Sequence, residues 1–547
     1  MDPIPGTSVI LEHGANIAPD DIKRMLTSIS RGNPDEPKEN DDSGDDCNGF
    51  IPRNRLISVF NYNNALQCLS ACLSSSVETT KIDLIARDIS PEDGECPRCS
   101  VATCTGLRII FVTLLLLNRG ACILEIHKSG EKICDSTWPL DNPSNECPTA
   151  LALRNITQSF EVPDKELFIS LQWRMRSPYF KTTTQVSQGV KPFEVRDEVI
   201  LPWIKAVKIV GSERGNLSSV YKIKIHAGHH DDHTSNGGWF AVKILEKGKV
   251  LAYAEDVFKR ETAANQRATH PRIVPLLAAF KHRNKFHLLF PLASGGDLQQ
   301  FWEKFGPRPD LGGEPAPWFS PEWVTEQCYN IADALATVHG YSSNGDAVVN
   351  RPQIHHDIKP ENILCFDDSR NGEVTYNLML TDFGLSLLAD SRSTFRPEDI
   401  TATLTYRPPE VDIPDGSDLG QKMDVWCLGC LYLDFVTWAI LGWSGVEDFE
   451  DKRTERDETE SGGSIWIEDT FFAKRKVAQY GWCFRKTFRK EANIKPSVIS
   501  HMDDLRRHEI CRGNMKLGKI LDYIERKMLV VNTKKRDESS KKFHHVT

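Results

Sequence analysis

The stretch His355-His356-Asp357-Ile358-Lys359-Pro360-Glu361-Asn362, followed farther on by Thr381-Asp382-Phe383-Gly384, decides how this chain is read. Together the two segments supply a carboxylate, an ammonium group, an amide and a second carboxylate. Phosphoryl transfer needs such a set: one carboxylate to orient a hydroxyl nucleophile, a cation on the transferred group, and amide and carboxylate oxygens for a divalent metal. Asp357, Lys359, Asn362 and Asp382 offer these in that order. A D-F-G tripeptide alone carries little weight in 547 residues. The ordered pattern H-x-D-x-K-P-E-N, a strand, then T-D-F-G is specific. The competing reading is an Asp/Asn turn beside an unrelated hairpin, and further matches on both sides weigh against it.

Upstream, Ala241-Val242-Lys243-Ile244 has the pattern of a short strand carrying one lysine, and Glu261 lies in the helical pattern Phe258 to Ala264 ahead of His270-Pro271-Arg272-Ile273-Val274. Downstream come Ala402-Thr403-Leu404-Thr405-Tyr406-Arg407-Pro408-Pro409-Glu410 and Asp424-Val425-Trp426-Cys427-Leu428-Gly429. With these parts the chain resembles the eukaryotic protein kinase superfamily, Ser/Thr type, over residues 203–542. The resemblance implies an α+β, bilobal protein-kinase fold with a β-rich N-lobe and a helical C-lobe. It implies ATP and Mg²⁺ as cofactors and a protein hydroxyl as acceptor. Asp357 would orient that hydroxyl, Lys359 and Lys243 would neutralise phosphate charge, Glu261 would hold Lys243, and Asn362 and Asp382 would bind the metal. Ala241, Val220 and Leu364 would enclose the adenine, Phe290 would gate its pocket, and Ala293 would donate from the hinge, since Pro291 has no N–H. Lys359 with Thr403 points to a serine or threonine substrate. Arg536 is placed to pair with Glu410. Asp297, after Gly295-Gly296, reads either as a ribose contact or as a helix N-cap.

Three departures stand out. Gly211-Ser212-Glu213-Arg214-Gly215-Asn216-Leu217-Ser218-Ser219-Val220 only partly matches a phosphate-binding glycine loop, with Gly215 at its middle glycine. Glycines there let backbone N–H groups approach phosphate. His356 replaces the arginine that commonly precedes the catalytic aspartate. Asn265 puts an amide where the family has an apolar side chain. A pseudokinase or scaffold that binds ATP or partners without efficient transfer is therefore the second reading.

Composition narrows the class. Hydrophobic residues make up 40% and charged residues 26%, as in a globular chain. A net charge of −9 argues against general nucleic-acid binding. The opening Met1-Asp2-Pro3-Ile4-Pro5 has no basic or apolar signal region. The apolar run Ile109 to Leu117 is about half what a bilayer crossing needs. These features predict an intracellular protein, cytoplasmic or nuclear, with no membrane span and with reduced thiols among its 15 cysteines.

The N-terminal part divides into residues 1–49, with a short helix over Asp20 to Ser30 and seven acids against one lysine in 32–48, which predicts disorder, and a small folded region over 50–200. That region loosely resembles the extension of some fungal kinase-domain proteins, with Asp135-Ser136-Thr137-Trp138-Pro139-Leu140 as an acidic and aromatic element; its partners are unknown. Gly106 to Leu117 reads as a buried centre, and Ala121 to Ile126 and Glu166 to Leu171 as strand-like. Cys96-Pro97-Arg98-Cys99 with Cys104 has half of a zinc-knuckle pattern, with Cys68, Cys72, Cys122 and His127 as candidate further ligands, but no second C-x-x-C completes it, so free thiols are the first reading and zinc the alternative. His229-His230-Asp231-Asp232-His233 reads as a metal site or a solvated loop. Val446 to Gly463 reads as an exposed charged insertion, and Asp367 to Glu373 as a polar hairpin loop.

His356 carries only partial charge near neutral pH, so it is a poor receptor for an activation-loop phosphate. Replacing Ser391, Ser393, Thr394 and Thr401 together by alanine should leave most of the activity; a silenced enzyme in a phosphotransfer assay would contradict this.

Overall fold

The computed structural model describes residues 50–91, 96–99, 104–128, 133–136, 156–158, 160–181, 189–209, 218–231, 237–245, 251–306, 319–341, 353–368, 374–383, 387–388, 404–413, 420–454, 468–480 and 486–537. Residues 1–49, the glycine loop with Gly211 and Gly215, Thr403 and the four activation-loop hydroxyls lie outside them. The chain forms two compact units. The first comprises Met1–Ser187, Phe193–Ile244 and Phe280–His287, and the second Gln188–Pro192, Leu245–Ala279 and Leu288–Thr547.

The first unit opens with helices α1 (Arg53–Val59), α2 (Tyr62–Cys72), α3 (Thr79–Ile89), α4 (Arg108–Leu116), α5 (Ile123–Lys128) and α6 (Val162–Trp173). The Asn61 side chain caps α2 by accepting from Asn64 N. In α3, Ile82, Ile85, Ala86 and Ile89 recur at helical spacing and are buried. Helix α4 is apolar all round and buried from Arg108 to Leu115, as befits the centre of a small helical core. Each large side chain so buried contributes about 1.5–3 kcal/mol. The buried Arg108 is satisfied by Phe60 O at 2.9 Å, Thr105 O at 3.2 Å and Ser90 Oγ at 2.8 Å. Both runs read as strand-like are helical: Ala121 to Ile126 is a 3-10 turn entering α5, and Glu166 to Leu171 lies in α6. Short apolar runs do not separate strand from helix. Phe168 and Gln172, four apart, share the buried face of α6.

A six-stranded sheet follows, with strands β1 (Phe193–Glu194), β2 (Trp203–Lys208), β3 (Ser218–Ile225), β4 (Trp239–Leu245), β5 (Ala278–His282) and β6 (Lys285–Pro291) in the order β1-β5-β6-β4-β3-β2. Within the first unit, Phe180 stacks on Trp203 with centroids 5.6 Å apart, and Phe280 on His287 at 4.7 Å. The histidine run after β3 is neither a metal site nor a solvated loop in its described part. His229 and His230 are buried. His229 Nε2 accepts from Arg53 N at 3.0 Å, which leaves Nδ1 to donate to Pro178 O at 3.0 Å. The ring is thereby held as one neutral tautomer, and burial pushes its pKa down to about 4.

The second unit contains α7 (Leu251–Arg267), α8 (Leu298–Lys304), α9 (Pro321–Val338), β7 (Gln353–Ile354), β8 (Ile363–Asp367), β9 (Tyr376–Leu380), β10 (Leu387–Leu388), α10 (Pro409–Asp412), α11 (Gln421–Thr454), β11 (Phe472–Tyr480), β12 (Lys486–Ile494), α12 (Pro496–Arg507), α13 (Glu509–Gly513) and α14 (Met515–Tyr523). Its core gathers around α11, including Trp426, Leu431, Phe435 and Trp438. Helix α11 is apolar and long enough to cross a membrane, but 94% of that window is buried within the protein, so it is a core helix. It kinks at Gly442, whose φ is +75°. Beyond the kink the expected exposed insertion is helix as far as Thr454, with Glu447, Asp448, Glu450, Asp451 and Lys452 exposed as expected. Phe449 and Arg453 are buried, with Arg453 donating to Asp469 at 2.8 Å and Asp434 at 3.2 Å. Arginine stacked between Phe449 and Phe471, 4.4 and 4.5 Å from their centroids, explains how a charged residue enters this core. Residues 455–467 lie outside the described part. The pair expected of Glu410 and Arg536 is present and bidentate at 2.6 and 2.9 Å, with both side chains buried and Arg536 also donating to Val530 O.

The His229 ring has an ordinary pKa of 6.5 and a folded value of about 4. The unfolded chain therefore takes up a proton over an interval in which the folded chain does not. Its contribution is complete above pH 6.5 and is lost as pH falls toward 4, about 3 kcal/mol in all. Urea midpoints of His229→Asn should fall less steeply than wild type between pH 7.5 and 4.5; parallel curves would refute the assignment. Removing one partner of a buried pair strands the other charge, so Arg536→Ala should cost roughly 3–5 kcal/mol in denaturant unfolding.

Candidate active site

The centre of the site is a buried carboxylate that binds backbone. Asp424, near the start of α11 and 0% exposed, accepts from His355 N at 2.7 Å and His356 N at 2.8 Å, and from His339 Nε2 at 2.9 Å. Burial alone would push its pKa up, but the hydrogen bond and charge of His339, with His356 and His355, hold it below the usual value. An ionised acceptor therefore grips two successive amides of the loop that carries Asp357. The grip offsets strain: His356 has φ +69°, and Asp382 has φ +62°, a region that costs a non-glycine residue roughly 1–3 kcal/mol. The His356 side chain is itself buried, and burial lowers its pKa.

Below this clamp the loop is tied to the next strand pair. His355 Nδ1 accepts from Asp357 N at 3.3 Å, so its Nε2 donates to Thr381 O at 3.0 Å, and its ring lies 5.1 Å from that of Phe383. Strands β8 and β9 pair antiparallel with Ile363 opposite Leu380. Thr381 N continues the ladder to Asn362 O at 3.0 Å. That register brings Asn362 alongside Thr381 and next to Asp382. The hairpin expected between them is present; its Asn371-Gly372 tip lies outside the described residues.

Asn362 Nδ2 donates to Asp357 Oδ2 at 2.8 Å and to Asp357 O at 2.7 Å. Lys359 Nζ lies 3.0 Å from the same Oδ2. One oxygen of Asp357 thus carries two donors, which fixes the rotation of the carboxylate. With its nitrogen so engaged, Asn362 presents Oδ1 as an acceptor. That oxygen and the half-buried Asp382 carboxylate are hard-oxygen groups of the kind that suit a divalent cation.

Other expected residues occupy defined places. Glu261 is 1% exposed on α7. Asn265, one turn on, donates its amide to Glu261 O at 3.2 Å, so the out-of-place polar group is satisfied by its own helix. Phe290 is buried at the end of β6, with Ala293 just beyond it and half-buried. Gly295 N donates to Cys365 O and Cys365 N to Gly296 O, both at 2.9 Å, which lays this segment along β8 beside Leu364. Asp297 is an N-cap, accepting from Gln300 N at 2.9 Å. The His270 turn is moored by Asp333, 2.9 Å from Nε2. In the first unit, Lys243 and Ala241 lie on β4 and Val220 on β3, all half-buried. Sequence reasoning named Asp424 only as the start of a buried helix and missed its grip on the loop. The D-V-W-C-L-G segment was the available signal, but no spacing links residue 424 to residue 355.

Residues 205–499, more than half of the chain, match the family described as the protein kinase domain. The chain belongs to that family, with the kinase fold's strand-rich and helical parts. It is similar to Aurora kinase of Candida glabrata, 28% identical over 243 residues that are 44% of this chain and 55% of that protein. Aurora kinase B of Drosophila melanogaster is 31% identical over 243 residues, 44% of this chain and 60% of that one. Serine/threonine-protein kinase cds1 of Schizosaccharomyces pombe is 27% identical over 217 residues, 38% and 40% of the two chains. The matched stretch spans about half the length of these relatives.

Asp424→Asn replaces one acceptor oxygen with a donor that faces a backbone N–H. It should destabilise the loop by about 2–3 kcal/mol, so that the His355 and His356 amides exchange with solvent roughly 30- to 160-fold faster. Unchanged exchange at both amides would rule out the clamp.

Proposed function

We propose that this chain is a serine/threonine protein kinase that transfers the γ-phosphoryl group of Mg-ATP to a protein hydroxyl inside the cell. The observation that carries the reading is the Asp357 carboxylate, held by Asn362 and Lys359, while Asn362 O accepts from the N–H of Thr381, the residue before Asp382. Asp357 Oδ1, opposite the doubly bonded oxygen, accepts the substrate hydroxyl's hydrogen and aims the oxygen in line with the phosphorus. As the bond to phosphorus forms, the proton passes to that carboxylate and the nucleoside diphosphate leaves. Lys359, already within reach of Asp357, neutralises charge on the transferred group. Asn362 and Asp382 would hold the divalent metal, which when bound would supply charge neutralisation. Within the second unit, Leu364 packs on the adenine, with Phe290 at the back of its pocket and Ala293 donating to the base.

The rival reading, a scaffold with a kinase fold, draws on Asn265 and the irregular glycine loop. Asn265 is satisfied within α7 and makes no demand on the site. Autophosphorylation with radiolabelled Mg-ATP distinguishes the two. Wild type should incorporate phosphate, and Asp357→Asn and Asp382→Asn should each lower the rate at least a hundredfold while leaving the fold's melting temperature within a few degrees. Nucleotide binding without transfer by the wild type would favour the scaffold, and no nucleotide binding would remove the enzyme reading.

A further inference from the structure

Four cysteines of the first unit converge at one point. The Sγ atoms of Cys96, Cys99, Cys104 and Cys134 all lie within 4.8 Å of one another. Three of the residues are buried and Cys99 is half-buried. We propose that they bind one zinc ion in a closed, tetrahedral Cys₄ site that holds the helical part of this unit together. Zn–S bonds of about 2.3 Å place the sulfurs of such a tetrahedron roughly 3.8 Å apart, so the sulfurs need only close slightly on an ion. All-thiolate tetrahedral ligation suits zinc. With four protein ligands no position remains for water or substrate, so the ion is structural.

The surroundings form a ligand shell. Cys96-Pro97-Arg98-Cys99 is a turn whose Cys99 N donates to Cys96 O at 3.3 Å, and the backbone N–H groups of Arg98 and Cys99 also face the Cys96 sulfur. Ser136 Oγ donates to Cys99 Sγ at 3.2 Å and lies 3.0 Å from Cys134 Sγ. Such donors orient thiolates and spread their charge. Arg176 donates to Asp135 O at 2.9 Å and stands near enough to Cys104 and Cys134 to feel their charge. A zinc tetrathiolate carries two net negative charges, which this guanidinium offsets in part.

The positions of the ligands are set independently of the ion. Arg98 anchors the turn to α3 through Asp88, with Nε at 3.1 Å. Asp135, buried and fully ligated by protein, caps α4 by accepting from Ile109 N at 3.0 Å, Ile110 N at 3.2 Å and Thr105 Oγ1 at 2.5 Å. Asp135 N in turn donates to Gly106 O at 2.8 Å. This cap brings Cys134 against Cys104. Gly106 has φ +77°, and a Cβ there would stand 2.6 Å from Asp88 O, so the tight path between Cys104 and α4 needs glycine. The candidate ligands weighed from sequence fall elsewhere: His127 Nδ1 faces Asp88 at 3.3 Å, and Cys68, Cys72 and Cys122 are outside the cluster. Cys134 was not among them, because it has no partner cysteine at knuckle spacing.

The test uses the full chain, purified under reducing conditions from zinc-supplemented cells and dialysed against a weak chelator. Metal analysis should find one zinc per chain. Cys134→Ser and Cys99→Ser should lose it, and Cys122→Ser, outside the cluster, should keep it. Because a ligand variant can lose metal simply by misfolding, cobalt(II) exchange into wild type provides a second readout. It should produce a thiolate-to-cobalt charge-transfer band and tetrahedral ligand-field bands, which Cys104→His should shift to higher energy. The absence of zinc from wild type, iron in its place, a disulfide among these cysteines after reducing isolation, octahedral cobalt spectra, or full zinc retention by Cys134→Ser would each overturn the proposal.

Discussion

The second unit depends on the carboxylate of Asp424. It is buried without solvent, yet it stays ionised because three N–H donors converge on it, two of them backbone amides of the loop bearing Asp357. A buried charge tolerates removal from water only when hydrogen bonds replace its hydration. The same bonds that satisfy Asp424 hold His356 at positive φ. Helix α11, whose apolar length builds the core, and the loop that orients Asp357 therefore share one interaction.

A second buried charge network stabilises the lower part of the same unit. Arg536 and Glu410 pair bidentately, while Asp434, Asp469, Tyr406 and Arg453 form a neighbouring cluster. Burial raises the Asp434 pKa to about 6, in opposition to the attraction of Arg453. Such networks contribute less to net stability than to uniqueness of arrangement, since each charge is costly without its partner. The first unit repeats the logic with different groups. Arg108 and Asp135 are both buried and satisfied chiefly by backbone, one closing the start of α4 from its own side chain and the other capping it from a distant loop.

Much of the kinase part was legible in order along the chain, because its chemistry is local: Asp357, Lys359 and Asn362 lie within one turn, and the β8–β9 hairpin carries Asp382 back to them. Legibility failed where one pattern fits two structures. Glu166 to Leu171 has too few residues to reveal a helical period by itself, and α6 forms because Phe168, Gln172 and Trp173 find a common buried face. The charged run after Val446 is exposed at Glu447, Asp448, Glu450, Asp451 and Lys452, but Arg453 is drawn inside by two acids and two aromatic rings. The histidines after β3 have metal-ligand chemistry, but His229 spends both ring nitrogens on backbone groups.

By itself the sequence determined which chemical groups this protein brings to a nucleotide site and in what order. That information resides in side-chain identity at short spacing, where covalent connectivity limits the geometry. Only the tertiary structure decided which distant residues complete those groups: Asp424 for the catalytic loop, and Cys134 for the cluster with Cys96, Cys99 and Cys104. The reason is physical. A buried charge or thiol must be satisfied by whatever the packed core places against it, and packing joins residues far apart in the chain.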